Sequence, residues 1–189
     1  TLENEIIKVA KNINLTINTN GKEISGTSDK AATAKLFEVA SGGSLTLTGN
    51  GTITFRAYKP DTNWDPEGFP TYATNTIANN GTLVIDGPTI INTTPRGGAS
   101  YAIDNYAGGN LTVLSGTIKQ TGGDVAIRMN TSTAGETKAN NVTINGGTIS
   151  GRRAIWIHLA GGKSTTAPYV NLTVNGGTLS TTDTAGKNL

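Results

Sequence analysis

The residues of this chain that could carry catalysis are few and widely spaced. Glu38 and Asp104 are carboxylates of the kind that a glycoside-hydrolysing pair requires, and Arg128 is a cation that could stand beside them. His158 is the only histidine and there is no cysteine, which excludes multi-histidine and thiolate metal sites, disulfides and thiol catalysis. We predict no cofactor, no metal and no catalytic site; Glu38, Asp104 and Arg128 are the least unsuitable catalytic candidates.

A second group of residues is suited to binding. Four of the ten aromatic residues, Tyr58, Trp64, Phe69 and Tyr72, fall in the stretch 57–74. The same stretch contains three prolines and three acidic residues. Aromatic rings stack on the apolar faces of sugars while carboxylates accept bonds from their hydroxyl groups, so we predict that this inserted loop binds a ligand such as a glycan. The alternative is that the aromatic side chains pack the loop onto the rest of the chain or meet a neighbouring subunit.

The composition restricts the elements that can hold these residues. The 189 residues include 32 Thr, 20 Asn and 25 Gly, all of which disfavour helix interiors, and only 15% are charged. This argues against a helical bundle, a coiled coil and a highly charged disordered tail. The net charge of +2 without a dense basic tract, and the lack of a long apolar run, predict no nucleic-acid partner and no membrane insertion.

One short phrase of alternating aliphatic residues recurs six times. Its first residues lie 30, 38, 28, 31 and 30 positions apart: Leu15, Leu45, Leu83, Leu111, Val142 and Leu172. A second phrase, such as Gly116-Thr117-Ile118, follows most copies, and a third, such as Ala102-Ile103-Asp104, precedes most of them. Each unit therefore holds three short strands separated by Gly and Asn, and single units can bury their aliphatic positions only by stacking. The pattern predicts one all-β domain over 1–189, a solenoid of about six coils with three short strands each.

Alignment of the third phrase predicts an outward column of Glu38, Ala78, Asp104, Arg128 and Trp156. Asp104 and Arg128 would then form a surface ion pair contributing about 0–1 kcal/mol. Glu38 and Asp104 would lie about 9.6 Å apart, at the far edge of the separation in inverting glycosidases, with Ala78 between them. We predict that a face of Tyr106, Arg128, Trp156 and His158 contacts a glycan or another chain; the alternative is a solvated face without a ligand.

These stacked phrases resemble the right-handed parallel β-helix of the pectin-lyase-like superfamily, from about Asn12 to Leu179. The sequence of residues 141–150 is most similar to the repeats of phage tailspike or fibre proteins and of bacterial surface adhesins. The resemblance implies a non-catalytic structural or binding module at the cell surface, in the extracellular space or in a virion, with glycan or neighbouring subunits as partners and a homotrimeric assembly. It leaves two alternatives open: a polysaccharide-degrading tailspike or lyase fragment, and a purely structural spacer or decoration protein. Against the first alternative, the acidic calcium cluster of the family's lyases cannot be assembled from this sequence.

The two ends of the repeat array differ. Residues 1–11 place Leu2, Ile6, Ile7 and Val9 among charges, which predicts an N-terminal cap over the open strand edges. Residues 181–189 carry no comparable apolar cap. We therefore expect the chain to be a fragment of a longer protein, or a partner subunit to cover the C-terminal edge.

Overall fold

The computed structural model describes residues 1–30, 34–58, 73–95, 99–122, 124–131, 138–159 and 170–182. Within these ranges every regular element is a β-strand, and none is a helix that could cross a membrane. The strands are β1 Leu2–Glu3, β2 Ile7–Val9, β3 Asn14–Asn18, β4 Glu23–Ser28, β5 Lys35–Val39, β6 Ser44–Thr48, β7 Thr52–Ala57, β8 Thr74–Asn79, β9 Thr82–Asn92, β10 Ser100–Tyr106, β11 Asn110–Gln120, β12 Val125–Thr131, β13 Asn140–Ile144, β14 Thr148–Gly151, β15 Arg153–Leu159, β16 Val170–Val174 and β17 Thr178–Thr181.

The strands stack in three parallel columns, as the repeat predicts. One column is a separate six-stranded sheet in the order β2-β5-β8-β10-β12-β15, which we call the outer-site sheet. The other two columns belong to an 11-stranded sheet, because β9 and β11 are long enough to run through both of them. Each coil therefore crosses all three columns once, and the chain winds through about five turns. This confirms the predicted all-β parallel β-helix and its approximate number of coils.

The aliphatic ladders lie in register inside the coils. Leu111 pairs with Val142 and Val142 with Leu172, while Ile118 pairs with Ile149 and Ile149 with Leu179. All members of these ladders except those of the last coil are buried. Aliphatic side chains from successive coils thus form one shared interior, which is the main source of stability in this architecture.

A positive-φ glycine makes the same corner in three successive coils. Gly116, Gly147 and Gly177 have φ of 96°, 84° and 92°, and they follow the first phrase of their repeats. A Cβ atom on Gly116 would lie 2.4 Å from the carbonyl oxygen of Pro88 in the coil before it. Only glycine therefore suits this corner, for both its backbone angle and its closeness to the neighbouring coil.

Another corner is held by buried amides that the periodicity alone does not reveal. The Nδ2 group of Asn79 donates to Oδ1 of Asn105, and Nδ2 of Asn105 donates to Oδ1 of Asn140, both at 2.6 Å. Asn79 and Asn105 occupy the inward position two residues after Ile77 and Ile103, where other coils have Val39, Met129 and Ile157. The chain satisfies these buried amides by stacking them on one another and on nearby carbonyl oxygens.

The two ends of the rod are built differently. At the N-terminal end, β1 pairs with β4, and Val9 on β2 is buried. At the C-terminal end, β15, β16 and β17 expose aliphatic side chains that would be interior in any other coil: Ile157, Leu172, Val174 and Leu179 are 37–48% exposed. The described part of the chain therefore covers its N-terminal coil better than its C-terminal coil.

Candidate functional site

The outward column that the sequence predicts forms on the outer-site sheet. Glu38 pairs with Ala78, Ala78 with Asp104, Asp104 with Arg128 and Arg128 with Trp156. Tyr106, Asn130 and His158 form the column beside it. The strand register thus brings together Tyr106, Arg128, Trp156 and His158, the face that we predicted from the sequence.

Asp104 and Arg128 form the ion pair that the sequence predicts, but the prediction that this pair lies at the surface is wrong, because both residues are buried. Asp104 is 0% exposed and Arg128 8%. Nε of Arg128 donates to Oδ1 of Asp104 at 2.8 Å, and Nη2 donates to Oδ2 at 2.5 Å, so the two planar groups meet side by side. The error came from assuming that an outward position on an outer strand faces solvent.

The outer face of this sheet is buried along most of its length. All residues of β8 and β12, and all residues of β10 except Tyr106, are buried whichever way their side chains point. This leaves Tyr106 and the last strand, β15, as the accessible part of the predicted face. A ligand would therefore meet Trp156, His158 and the flanking Arg153 rather than the Asp104–Arg128 pair.

Tyr101 completes the buried cluster and was not among the predicted site residues. Its hydroxyl accepts a 3.0 Å bond from Nη1 of Arg128, whose guanidinium carbon lies 4.1 Å from the centre of the Tyr101 ring. Burial raises the pKa of Tyr101 well above its usual value, against the opposing effect of the Arg128 charge. Burial alone would lower the pKa of Arg128, but the hydrogen bonds and charge of Asp104 outweigh it and raise that pKa. Both side chains therefore keep their protons throughout the neutral range.

Tyr106 lies beside the pair at the edge of the accessible face. Burial raises the pKa of its phenol well above the usual value, and the charge of Asp104 and a hydrogen bond to that carboxylate act in the same direction. The carboxylate of Asp104 thus accepts two bonds from Arg128 and lies close enough to Tyr106 to raise its pKa. Its oxygens are committed to structural partners.

Trp156 is partly exposed and is surrounded by rings and cations. Its ring lies 6.4 Å from that of Tyr101 and 4.7 Å from that of His158, both in tilted arrangements, and the guanidinium of Arg153 lies 5.2 Å from its centre. These contacts surround the indole on the side of the rod. A partly exposed tryptophan beside a cation offers ring stacking and polar contacts at one place.

His158 lies next to Trp156 in an environment that disfavours its charged form. Desolvation lowers the pKa of His158 and the positive charge of Arg128 lowers it further, against the weaker opposing effect of Asp104. Its Nδ1 atom is buried, and none of the described residues provides a hydrogen-bond partner for it. A proton placed on Nδ1 would therefore find no acceptor there, in keeping with a neutral imidazole.

Glu38 does not join the other catalytic candidates. Oε2 of Glu38 accepts from Nζ of Lys35 at 3.0 Å, and both side chains are partly exposed. Ala78 separates Glu38 from Asp104 by one whole strand. Among the residues that the structure describes, no group of three histidine, cysteine or acidic side chains is placed to hold a metal ion.

Of the four aromatic residues predicted to bind a ligand from the inserted loop, Tyr58 is among the described residues. Tyr58 lies just after β7, and its hydroxyl donates to Oε1 of Glu3 at 2.9 Å. This bond and the nearby acidic charges raise the pKa of Tyr58. Trp64, Phe69 and Tyr72 lie outside the described residues. Tyr58 thus lies between β7 and β8, and two strands, β10 and β12, separate β8 from β15, which carries Trp156.

The residues that sequence reasoning missed had a weak signal. Arg128 pairs with Asp104 in the strand register, and Tyr101 lies three residues before Asp104 on the same strand. Tyr101 and Arg128 are therefore brought into contact by the directions of their side chains and not by the register. Asn79 and Asn105 could have been noticed as polar residues at an inward position of the repeat.

Comparison of the chain with protein-family models, with curated proteins and with solved structures finds no match.

Proposed function

We propose that the chain is a non-catalytic β-helical module that presents a binding face to a glycan or a neighbouring subunit. Arg153, Trp156 and His158 on the last strand of the outer-site sheet, with Tyr106 beside them, are the residues that would make the contact. The observation that carries the proposal is the partly exposed Trp156, held by Tyr101, His158 and Arg153 at the side of a rigid rod. Rigid aromatic side chains bind at low entropic cost, because they lose little freedom on contact.

The state of the acidic candidates supports a binding role over catalysis. A general acid or base must reach the reacting group and exchange a proton with it. Asp104 is buried against Arg128 and Tyr106. Glu38 is paired with Lys35, and the strand that carries Ala78 lies between Glu38 and Asp104. The polysaccharide-degrading tailspike or lyase fragment is therefore the second candidate, and a spacer without a ligand is the third.

The proposed setting is extracellular, at a cell surface or in a virion, in a phage tail or head fibre or a bacterial adhesin. The threonine- and asparagine-rich coils and the absence of cysteine suit a rod stabilised by backbone pairing rather than by disulfides. We extend the resemblance to the pectin-lyase-like superfamily, including its right-handed coil, as part of this proposal. The homotrimeric assembly of tailspikes stays a prediction of that resemblance alone. The predicted glycan contacts of Tyr58, Trp64, Phe69 and Tyr72 remain a separate prediction for the inserted loop.

The test is binding to a panel of bacterial polysaccharides, with tryptophan fluorescence and immobilised glycans as parallel readouts. Trp156→Ala should abolish or greatly weaken binding while the melting temperature stays close to that of the parent chain, and Lys119→Ala, an exposed residue on the other sheet, should leave binding unchanged. The release of new reducing ends, lost in Glu38→Gln, would instead favour the enzyme. Binding that is equal in the parent chain and in Trp156→Ala would contradict the proposed face.

A further inference from the structure

The last coil of the rod presents an open edge of three strands. Within the described residues, β15, β16 and β17 pair on one side only, with β12, β13 and β14. A cleft of about 590 Å³ opens between them, bounded by Arg153, Trp156, Leu172 and Leu179 among others. Unpaired strand edges over exposed aliphatic side chains are surfaces that pair with another chain unless they are covered.

The opposite end of the rod is a poor occupant for this edge. If copies stacked head to tail, β17 would have to take the place beside β4 that β1 already occupies through the pairing of Leu2 with Gly26. Val9, at the same end, is already buried. Head-to-tail stacking would therefore displace existing structure and would also produce an open-ended filament.

The sequence around β16 fits pairing with itself. Residues 171–175 are Asn-Leu-Thr-Val-Asn, which has the same order of side-chain classes in both directions. An antiparallel pair of two such strands centred on Thr173 would place Leu172 opposite Val174 and Asn171 opposite Asn175. Aliphatic residues would meet inside and amides outside.

The amides of this segment already form this kind of contact within the chain. Nδ2 of Asn171 donates to Oδ1 of Asn141 at 2.8 Å, and Nδ2 of Asn175 donates to Oδ1 of Asn145 at 2.7 Å. Each of the two donor groups carries a second hydrogen, and each side-chain oxygen has two lone pairs. Asn171 and Asn175 can therefore extend the amide ladders by one more step across an end-to-end contact.

We propose that a second copy of this chain covers the C-terminal edge, with two rods meeting end to end about a two-fold axis that passes near Thr173. The contact is isologous and closed, so it removes the open edge of both copies at once. It leaves β1 in place and buries Ile157, Leu172, Val174 and Leu179. This interface is at the end of the rod and does not depend on the proposed ligand at its side, so either proposal can fail while the other stands.

The chain has no cysteine, so a single introduced thiol reports the contact directly. Opposed residues in an antiparallel pair have Cα atoms about 4.5–5.5 Å apart, which lies inside the range that a disulfide spans. Thr173→Cys should form a covalent dimer under mild oxidation. Thr143→Cys, in the same outward column one coil further in, is the matched control and should cross-link at least about tenfold more slowly.

Sedimentation of the parent chain gives the equilibrium counterpart of this test. The proposed contact is confined to the end of the rod, so we expect monomer and dimer to exchange over protein concentrations of about 10 μM to about 1 mM. Thr173→Lys should shift the chain towards monomer because two lysines would face each other, Thr143→Lys should not, and mixing Thr173→Lys with Thr173→Glu should restore the dimer.

Three results would overturn the proposal. One is a parent chain that stays monomeric up to about 1 mM, which is the result expected if a following segment of its own chain covers the edge. Another is equal cross-linking by Thr173→Cys and Thr143→Cys. The third is cross-linking of Thr173→Cys with Thr16→Cys in a mixture in preference to itself, which would indicate head-to-tail stacking.

Discussion

Asp104 and Arg128 lie on neighbouring strands of successive coils, joined by two parallel hydrogen bonds and removed from solvent. A buried carboxylate and guanidinium are costly to desolvate, and the fold offsets that cost through paired geometry and the additional partners Tyr101 and Tyr106. The pair fixes the position of Tyr101, against which Trp156 rests. The buried pair is therefore a support for the accessible face rather than a part of it.

Breaking this pair should be strongly destabilising. Asp104→Ala leaves the Arg128 guanidinium buried without its carboxylate, so the free energy of unfolding should fall by about 3–5 kcal/mol in urea denaturation. Glu38→Ala, which breaks the partly exposed pair with Lys35, should cost about 0–1 kcal/mol. Similar losses for the two variants would contradict the buried placement of Asp104.

The inner amide ladder gives a second prediction. Asn105→Ala leaves buried bonding groups of Asn79 and Asn140 unsatisfied, and we expect a loss of about 1–3 kcal/mol or more in the free energy of unfolding. Asn141→Ala removes two comparable side-chain bonds from the exposed ladder, where water replaces them, and should change stability by at most about 0.5 kcal/mol. Equal effects would show that the inner ladder is hydrated.

The sequence predicts the fold well and the site only in part, for separate reasons. The repeat fixes the register of Leu111, Val142 and Leu172, because slipping any coil by one residue would turn its aliphatic side chains outward. The same register places Asp104 beside Arg128 and Arg128 beside Trp156. It does not say that the outer face of the sheet is buried, because the alternation gives the direction of each side chain and not what packs over it. Nor does it show the contact of Tyr101 with Arg128, which depends on how the two side chains turn.

His158 makes stability depend on pH in a defined window. Its pKa is lowered in the folded chain, so as the pH falls below about 6.5 the unfolded chain binds a proton before the folded chain does. The free energy of unfolding should therefore be highest above about pH 6.5 and should decrease as the pH falls towards the folded pKa. Because this is the only histidine, His158→Asn should remove the part of that dependence that sets in as the pH falls through about 6.5. An unchanged pH profile in His158→Asn would show that another group is responsible.

The register of the coils is the claim on which all the columns and faces depend, and an intramolecular disulfide measures it most directly. Thr112 and Thr143 are outward partners on neighbouring strands, so the double variant Thr112→Cys/Thr143→Cys should oxidise readily to an intrachain disulfide in the dilute monomer. Thr46→Cys/Thr112→Cys, with the thiols two coils and about 9.6 Å apart, should remain reduced under the same conditions. Rapid closure of the second pair, or none of the first, would contradict the stacked register.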